Sequence, residues 1–109
     1  ICRASHAGAA VDFARVPLHP NVSALARDGH VTGASARNWA GYGSDVDLAP
    51  GIGDVERALL TDPQTSGGLL VACDPSHVEE VLDVFRREGF DTAREIGEIV
   101  PGAPRIRVA

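Results

Sequence analysis

The chain contains no lysine, so all ten of its basic residues are arginine. That absence removes Schiff-base chemistry, a phosphate-loop lysine and a lysine general base from what these residues themselves perform. A net charge of −5, set by fifteen acidic residues, runs against a nucleic-acid footprint. Cysteine is scarce as well: Cys2 and Cys73 stand far apart, fit no metal-ligand or redox spacing, and are expected to be small buried hydrophobes. The four histidines, His6, His19, His30 and His77, show no ligand spacing, which predicts no metal centre. No apolar run approaches the roughly 20 residues that span a bilayer, and no charged leader precedes a hydrophobic segment. The expectation is a soluble, cytoplasmic protein with no membrane partner.

What is present is one domain's worth of chain. At 109 residues and 44% hydrophobic content, it is long enough to bury a single core. It opens on ICRASHAG without methionine, a segment that reads as the last turns of a helix closed by Gly8 and predicts missing upstream sequence. Residues 10–15 (AVDFAR) alternate apolar and polar and predict a half-buried strand, which Pro17 and Pro20 break. Asn21 is placed to cap a helix running to about Asp28, followed by Gly29.

The stretch from Gly29 to Gly43 is rich in small residues with little periodicity and predicts an ordered loop, continued by an acidic linker from Ser44 to Gly53. Asp54 begins a helix whose Val55, Ala58 and Leu59 share a face. Gly67 to Cys73 is continuously apolar and predicts a central strand. Asp74-Pro-Ser76 then starts a helix with Val78, Val81, Leu82 and Phe85 at helical spacing, ending at Gly89. Its charged face is a solvated surface. Residues 93–100 and 105–108 predict two strands joined at Pro101-Gly102. The sum is an α+β fold, a mixed β-sheet covered by helices and ending in a hairpin.

One motif carries most of the functional information. Residues 61–70, TDPQTSGGLL, place a rigid Asp-Pro, two hydroxyls and a Gly-Gly pair directly against an apolar run. Thr65 and Ser66 offer hydroxyls to a phosphoryl group or to the turn itself. Gly67 and Gly68 offer backbone N–H groups to an anion, or merely permit close packing. Asp62 reads as a turn residue ahead of Pro63, with metal binding the lesser alternative. Asn38 and Gln64 either hold loops together or face a ligand, and Arg37 is a phosphate partner or a surface arginine. Trp39 and Tyr42 are expected to anchor their loop by packing.

DPQTSGGLL ahead of an apolar run resembles the hallmark of the C-terminal domain of selenophosphate synthetase, also called selenide, water dikinase. In that family the preceding segment reads VPGGTxxNxxxYG; here it is VTGASARNWAGYG, with Gly33, Asn38, Tyr42 and Gly43 in register. Gly8-Ala9, Val16-Pro17 and the segment 96–100 (IGEIV) extend the resemblance over nearly the whole chain. Thr32, Ala34 and Ser35 depart from it, standing for Pro, Gly and Thr; alanine at 34 closes off a positive-φ turn there.

The resemblance implies a domain similar to the C-terminal half of aminoimidazole ribonucleotide synthetase. It also implies an enzyme that uses ATP, magnesium and selenide to make selenophosphate, releasing AMP and phosphate. The family's reactive cysteine or selenocysteine, its essential lysine and its metal-binding aspartates lie in an N-terminal domain or at the junction, and none of those motifs is here. The chain is therefore expected to be a single C-terminal domain over 1–109, a fragment lacking its ATP-binding domain, inactive alone and part of a homodimer when full length. It holds no catalytic or metal residue of its own, while Thr65, Ser66, Gly67, Gly68, Gly33 and Asn38 face phosphate or substrate. Two alternatives stand beside it: a domain of a purine-biosynthetic or hydrogenase-maturation synthetase, or a non-catalytic binding or dimer-forming module.

Overall fold

The computed structural model describes all residues from 1 to 109. Four strands form one mixed sheet in the order β2-β4-β1-β3: β1 (Gly8–Val11), β2 (Val46–Leu48), β3 (Gly97–Val100) and β4 (Ile106–Val108). β1 lies inside it, antiparallel to β3 and parallel to β4, with Ala9 opposite both Ile99 and Ile106. β2 runs parallel to β4 at the far edge, pairing Leu48 with Val108. With five α-helices, this is the α+β architecture expected.

Local chemistry explains the boundaries. β1 stops at Val11 because the Asp12 side chain accepts from the Ala14 N–H at 3.0 Å and starts a 3-10 turn over Phe13–Arg15. The strand thus begins two residues earlier than the alternation suggested and is four residues shorter at its end. α1 (Cys2–Ser5) is closed by His6 in the left-handed region at φ 51°, while Gly8 already belongs to β1. α2 (Val22–Arg27) occupies the expected span and is followed by Gly29 at φ 88°. Asn21 precedes it without capping it, because its own φ of 67° turns the side chain away from the first turn's N–H groups.

The largest corrections fall on the glycine-rich stretches. Gly33–Tyr42 is not a loop but α3, a ten-residue helix whose cap Thr32 accepts from the Ser35 N–H. Small residues hid its periodicity, yet none of them is forced out of helical geometry; Ala34 sits in it without positive φ. The acidic linker contains β2, whose Asp47 carboxylate takes a two-pronged bond from Arg105 at 2.5 and 2.9 Å. Arg105 also donates to the Ser44 carbonyl at 2.9 Å, and Arg3 pairs with Asp45. These exposed ion pairs tie the polar edge strand down where apolar contact is thin.

α4 (Asp54–Leu60) begins where expected, with the Glu56 carboxylate accepting from the Gly53 N–H at 2.9 Å. α5 (Val78–Arg87) follows a 3-10 turn at Pro75–His77, in which Asp74 accepts from the N–H and hydroxyl of Ser76 at 2.9 and 2.6 Å. Those bonds hold the Asp74 carboxyl below its usual range. Glu79 and Glu80 in the first turn of α5 and Arg86 and Arg87 in its last complement the helix dipole. On its charged face Arg86 bridges Asp83 and Glu79 in solvent.

Two expected features do not form. β3 and β4 are not a hairpin, since β1 inserts between them, so Pro101-Gly102 begins a loop rather than a tight two-strand turn. Gly67 to Cys73 is not a strand; it runs irregularly and exposed, which also leaves Cys73 exposed and free rather than buried. Cys2 is half-buried and free.

Candidate functional site

The two segments singled out in sequence meet in space. α3 and α4 pack side by side, so the start of α3 lies against the end of α4, from which TDPQTSGGLL departs. Thr61, the last residue before the motif's Asp-Pro, is buried, and its hydroxyl donates to the Arg57 carbonyl at 2.8 Å. Asn38 Nδ2 on α3 donates to the Thr61 carbonyl at 2.9 Å. Thr61 is the C-cap of α4, so its carbonyl has no intrahelical partner, and the amide supplies what the helix cannot.

A second set of bonds fixes the next residue. Thr32 Oγ1 donates to Asp62 Oδ1 at 3.1 Å, and Gln64 Nε2 donates to Asp62 Oδ2 at 2.9 Å. Both oxygens of Asp62 are thereby engaged by the chain itself, the turn-forming role the sequence favoured. Ser35, buried, donates from its hydroxyl to the Ala58 carbonyl at 3.3 Å, locking the two helices one turn further in. Trp39 carries the Arg57 guanidinium 5.5 Å from its ring centroid and lies against Gly43, so it does anchor this segment. Tyr42 is exposed and does not.

Beyond Gln64 the motif projects into solvent. Thr65 and Ser66 are exposed, and neither hydroxyl makes a hydrogen bond within the chain. Gly67 and Gly68 are exposed too, with φ outside the left-handed region. A Cβ at Gly68 would meet nothing within 4 Å, and one at Gly67 only the Gln64 side chain, at 3.3 Å. Neither glycine is therefore demanded by the chain's own packing or backbone. Gly33 opens α3 beside the Arg37 guanidinium, also without a close neighbour. The six site candidates thus divide: Asn38 is joined to the base of the motif, Gly33 stands at the helix start, and Thr65 to Gly68 stand clear with their polar groups unused.

A shallow groove of about 350 Å³ lies between α2, α3 and α4, lined by Val31, Ala36, Trp39, Val55 and Ala58 among others. The sequence does not disclose this groove, because the small residues of α3 give no apolar period that would mark a helix there. No group of three or more His, Cys, Asp or Glu side chains is gathered for a metal. Asp62 already accepts one intrachain bond on each oxygen and no second acidic side chain is gathered beside it, so the residues here do not by themselves make up a magnesium ligand set. They do offer what a phosphate oxygen needs, namely free hydroxyls, open backbone amides and an arginine.

This fold and its paired motifs place the chain in a family: it belongs to that of the AIR synthase related protein, C-terminal domain, which matches residues 1–108. Among individual proteins it is 54% identical over 109 residues to the selenide, water dikinase of Burkholderia ambifaria, covering 100% of this chain. Identity is 50% over 108 residues to that of Pseudomonas straminea and 42% over 108 residues to that of Rhizobium meliloti, each covering 99% of the chain. The chain spans about 31% of the length of these relatives. No helix is long and apolar enough to cross a membrane.

Proposed function

We propose that this chain is the C-terminal part of a selenide, water dikinase, a cytoplasmic enzyme that converts ATP, selenide and water to selenophosphate, AMP and phosphate. The full-length protein acts with its own N-terminal ATP-binding domain and as a homodimer. ATP and magnesium are held mainly by that domain, since the residues described above lack lysine and a metal cluster. The relatives' shared name supports the selenium chemistry over a purine-biosynthetic or hydrogenase-maturation substrate.

The role of these residues is to wall the reaction cleft. Thr65, Ser66, Gly67 and Gly68 present hydroxyl and amide donors to a phosphoryl group or a selenium oxyanion, with Gly33 at the neighbouring helix start. Asn38 positions them by holding the base of the motif to α3. Closing such a wall over a phosphorylated intermediate keeps bulk water from hydrolysing it at the wrong step. The observation that carries this reading is the Asn38–Thr61 bond, which fixes the root of a segment whose tip leaves its donors unused. The test compares the purified 109-residue chain with the full-length polypeptide for selenide-dependent AMP release. Release by the full-length protein alone is expected; release by the short chain, or none from the full-length protein, contradicts the reading.

A further inference from the structure

The motif is held to α3 at a second point besides Asn38, and that attachment runs through one charge. From Ala58 to Cys73 the only charged residue is Asp62. Its half-buried carboxylate takes one bond on each oxygen, from Thr32 Oγ1 at 3.1 Å and from Gln64 Nε2 at 2.9 Å. Thr32 is also the cap of α3, where it accepts from the Ser35 N–H at 3.3 Å. A hydroxyl carries one proton and two lone pairs, so it receives from the helix and donates to the carboxylate at the same time. Thr32 Oγ1 lies 3.2 Å from Ser35 Oγ too, but Ser35 directs its proton to the Ala58 carbonyl at 3.3 Å, which leaves the Thr32 proton for Asp62. The bonds therefore run one way, from the first turn of α3 through Thr32 to a carboxylate, and each polarises the next.

This chain of bonds sets a direction more than it adds stability. Thr32 and its bond to Asp62 are exposed, so little of the fold rests on them. A tether at Thr61 alone leaves the segment free to swivel. Thr32 and Asn38 stand roughly 9 Å apart along the α3 axis, and together they hold it at two points. Pro63 then confines its own φ to about −65°, and the Gln64 bond back to Asp62 spans that proline. The root is fixed as far as Gln64, while nothing outside the segment bonds to Thr65–Gly68, so the aim of those free donors follows the orientation of Asp62.

We propose that Thr32 is a positioning residue for the tip of the motif: its hydroxyl holds the Asp62 carboxylate so that Thr65 to Gly68 are aimed at the reacting phosphoryl or selenium oxygen. This rests on the reading that the tip faces those groups. Thr32 itself touches no substrate and acts through Asp62.

The test uses the full-length polypeptide with Thr32→Ser, Thr32→Val, Asp62→Ala and the Thr32→Val/Asp62→Ala double variant. Thr32→Val and Asp62→Ala are each expected to lower kcat for selenide-dependent AMP release at least roughly fivefold, with KM for ATP moving less than about twofold. The double variant is expected to lose no more than the larger single loss, because both changes cut one tether. Thr32→Ser keeps the hydroxyl and is expected to stay within about twofold of the parent. Asp62→Ala leaves the α3 cap intact, so its thermal midpoint is expected to stay within about 2 °C of the parent, and it decides the matter alone if Thr32→Val fails to fold. Limited proteolysis, with cuts mapped between residues 63 and 68, is expected to run about threefold faster or more in the Val and Ala variants and at the parent's rate in the Ser variant. Losses that multiply in the double variant, a Thr32→Val enzyme equal to Thr32→Ser, or an Asp62→Ala enzyme with the parent's kcat overturns the proposal. The two readings fail separately: a parent without selenide-dependent AMP release sinks the functional reading while the protease cuts still show whether Thr32 holds the tip, and an active parent indifferent to Thr32→Val sinks the positioning role alone.

Discussion

Asn38 and Thr61, 23 residues apart, are joined by a single hydrogen bond of 2.9 Å from the Asn38 amide to the Thr61 carbonyl, and that bond ties α3 to the root of the TDPQTSGGLL motif. Asn38→Ala leaves a buried carbonyl without its donor, which costs about 1–2 kcal/mol. Asn38→Asp is expected to cost more, since it turns an acceptor toward an acceptor. Urea denaturation of the two variants beside the parent checks the order, and an Asn38→Ala protein as stable as the parent would show that the bond is dispensable.

The sheet makes a sharper demand at Gly97. A Cβ there would lie 2.0 Å from the Ala10 carbonyl oxygen, across the β1–β3 pairing, and backbone cannot yield as a flexible side chain does. Gly97→Ala is expected to destabilise by about 1–3 kcal/mol or more. Gly41, inside α3 with nothing within 4 Å, predicts the opposite sign: Gly41→Ala gains about 0.5–1 kcal/mol from the stiffer unfolded chain and better helix propensity. Thermal midpoints moving in opposite directions confirm the pair; both moving down would not.

Stability at low pH turns on Asp47. Hydrogen bonds from Arg105, and then the charge of the same guanidinium, hold its carboxyl below the usual value of 3.8. A carboxyl depressed in the folded state contributes stability that is fully present above its unfolded value and is lost as pH falls through the folded one. Asp47→Asn is therefore expected to lower the thermal midpoint at neutral pH, with the gap from the parent closing as the pH drops below about 3.8. High salt narrows the gap as well, because the pair is exposed. A gap that persists unchanged in acid would assign the effect to packing.

How far the sequence discloses this molecule depends on whether a signal is local. The stripe of Val78, Val81, Leu82 and Phe85 and the Asp74-Pro-Ser start mark α5 almost to the residue, since each cue acts within a turn or two. α3 escapes because Gly33, Ala34, Ser35 and Ala36 give no apolar period; what fixes it is the Thr32 cap and packing on α4, the latter invisible along the chain. Pro101-Gly102 signals a turn correctly, but which strand pairs with which is settled by β1, some 90 residues earlier, so the expected hairpin fails. Leu69 to Val71 mislead for a related reason: an apolar run reads as a strand, yet nothing within these residues pairs with it. For the site, the motif and Asn38 are legible by type and register; the bonds that bring them together are not.

The central claim is that the tip of the motif faces the reacting groups of a larger enzyme, and Gly67→Val in the full-length protein tests it most directly. A side chain at 67 meets only the Gln64 Cβ, 3.3 Å away in an exposed segment that must give by a few tenths of an ångström, so stability is expected to fall by no more than about 1 kcal/mol. On the function proposed above, the valine would intrude where a phosphoryl or selenium oxygen approaches the backbone, and selenophosphate formation, measured as selenide-dependent AMP release, is expected to drop at least roughly tenfold in kcat/KM. Full activity in a stably folded Gly67→Val enzyme, or activity and stability lost in step, would contradict the account.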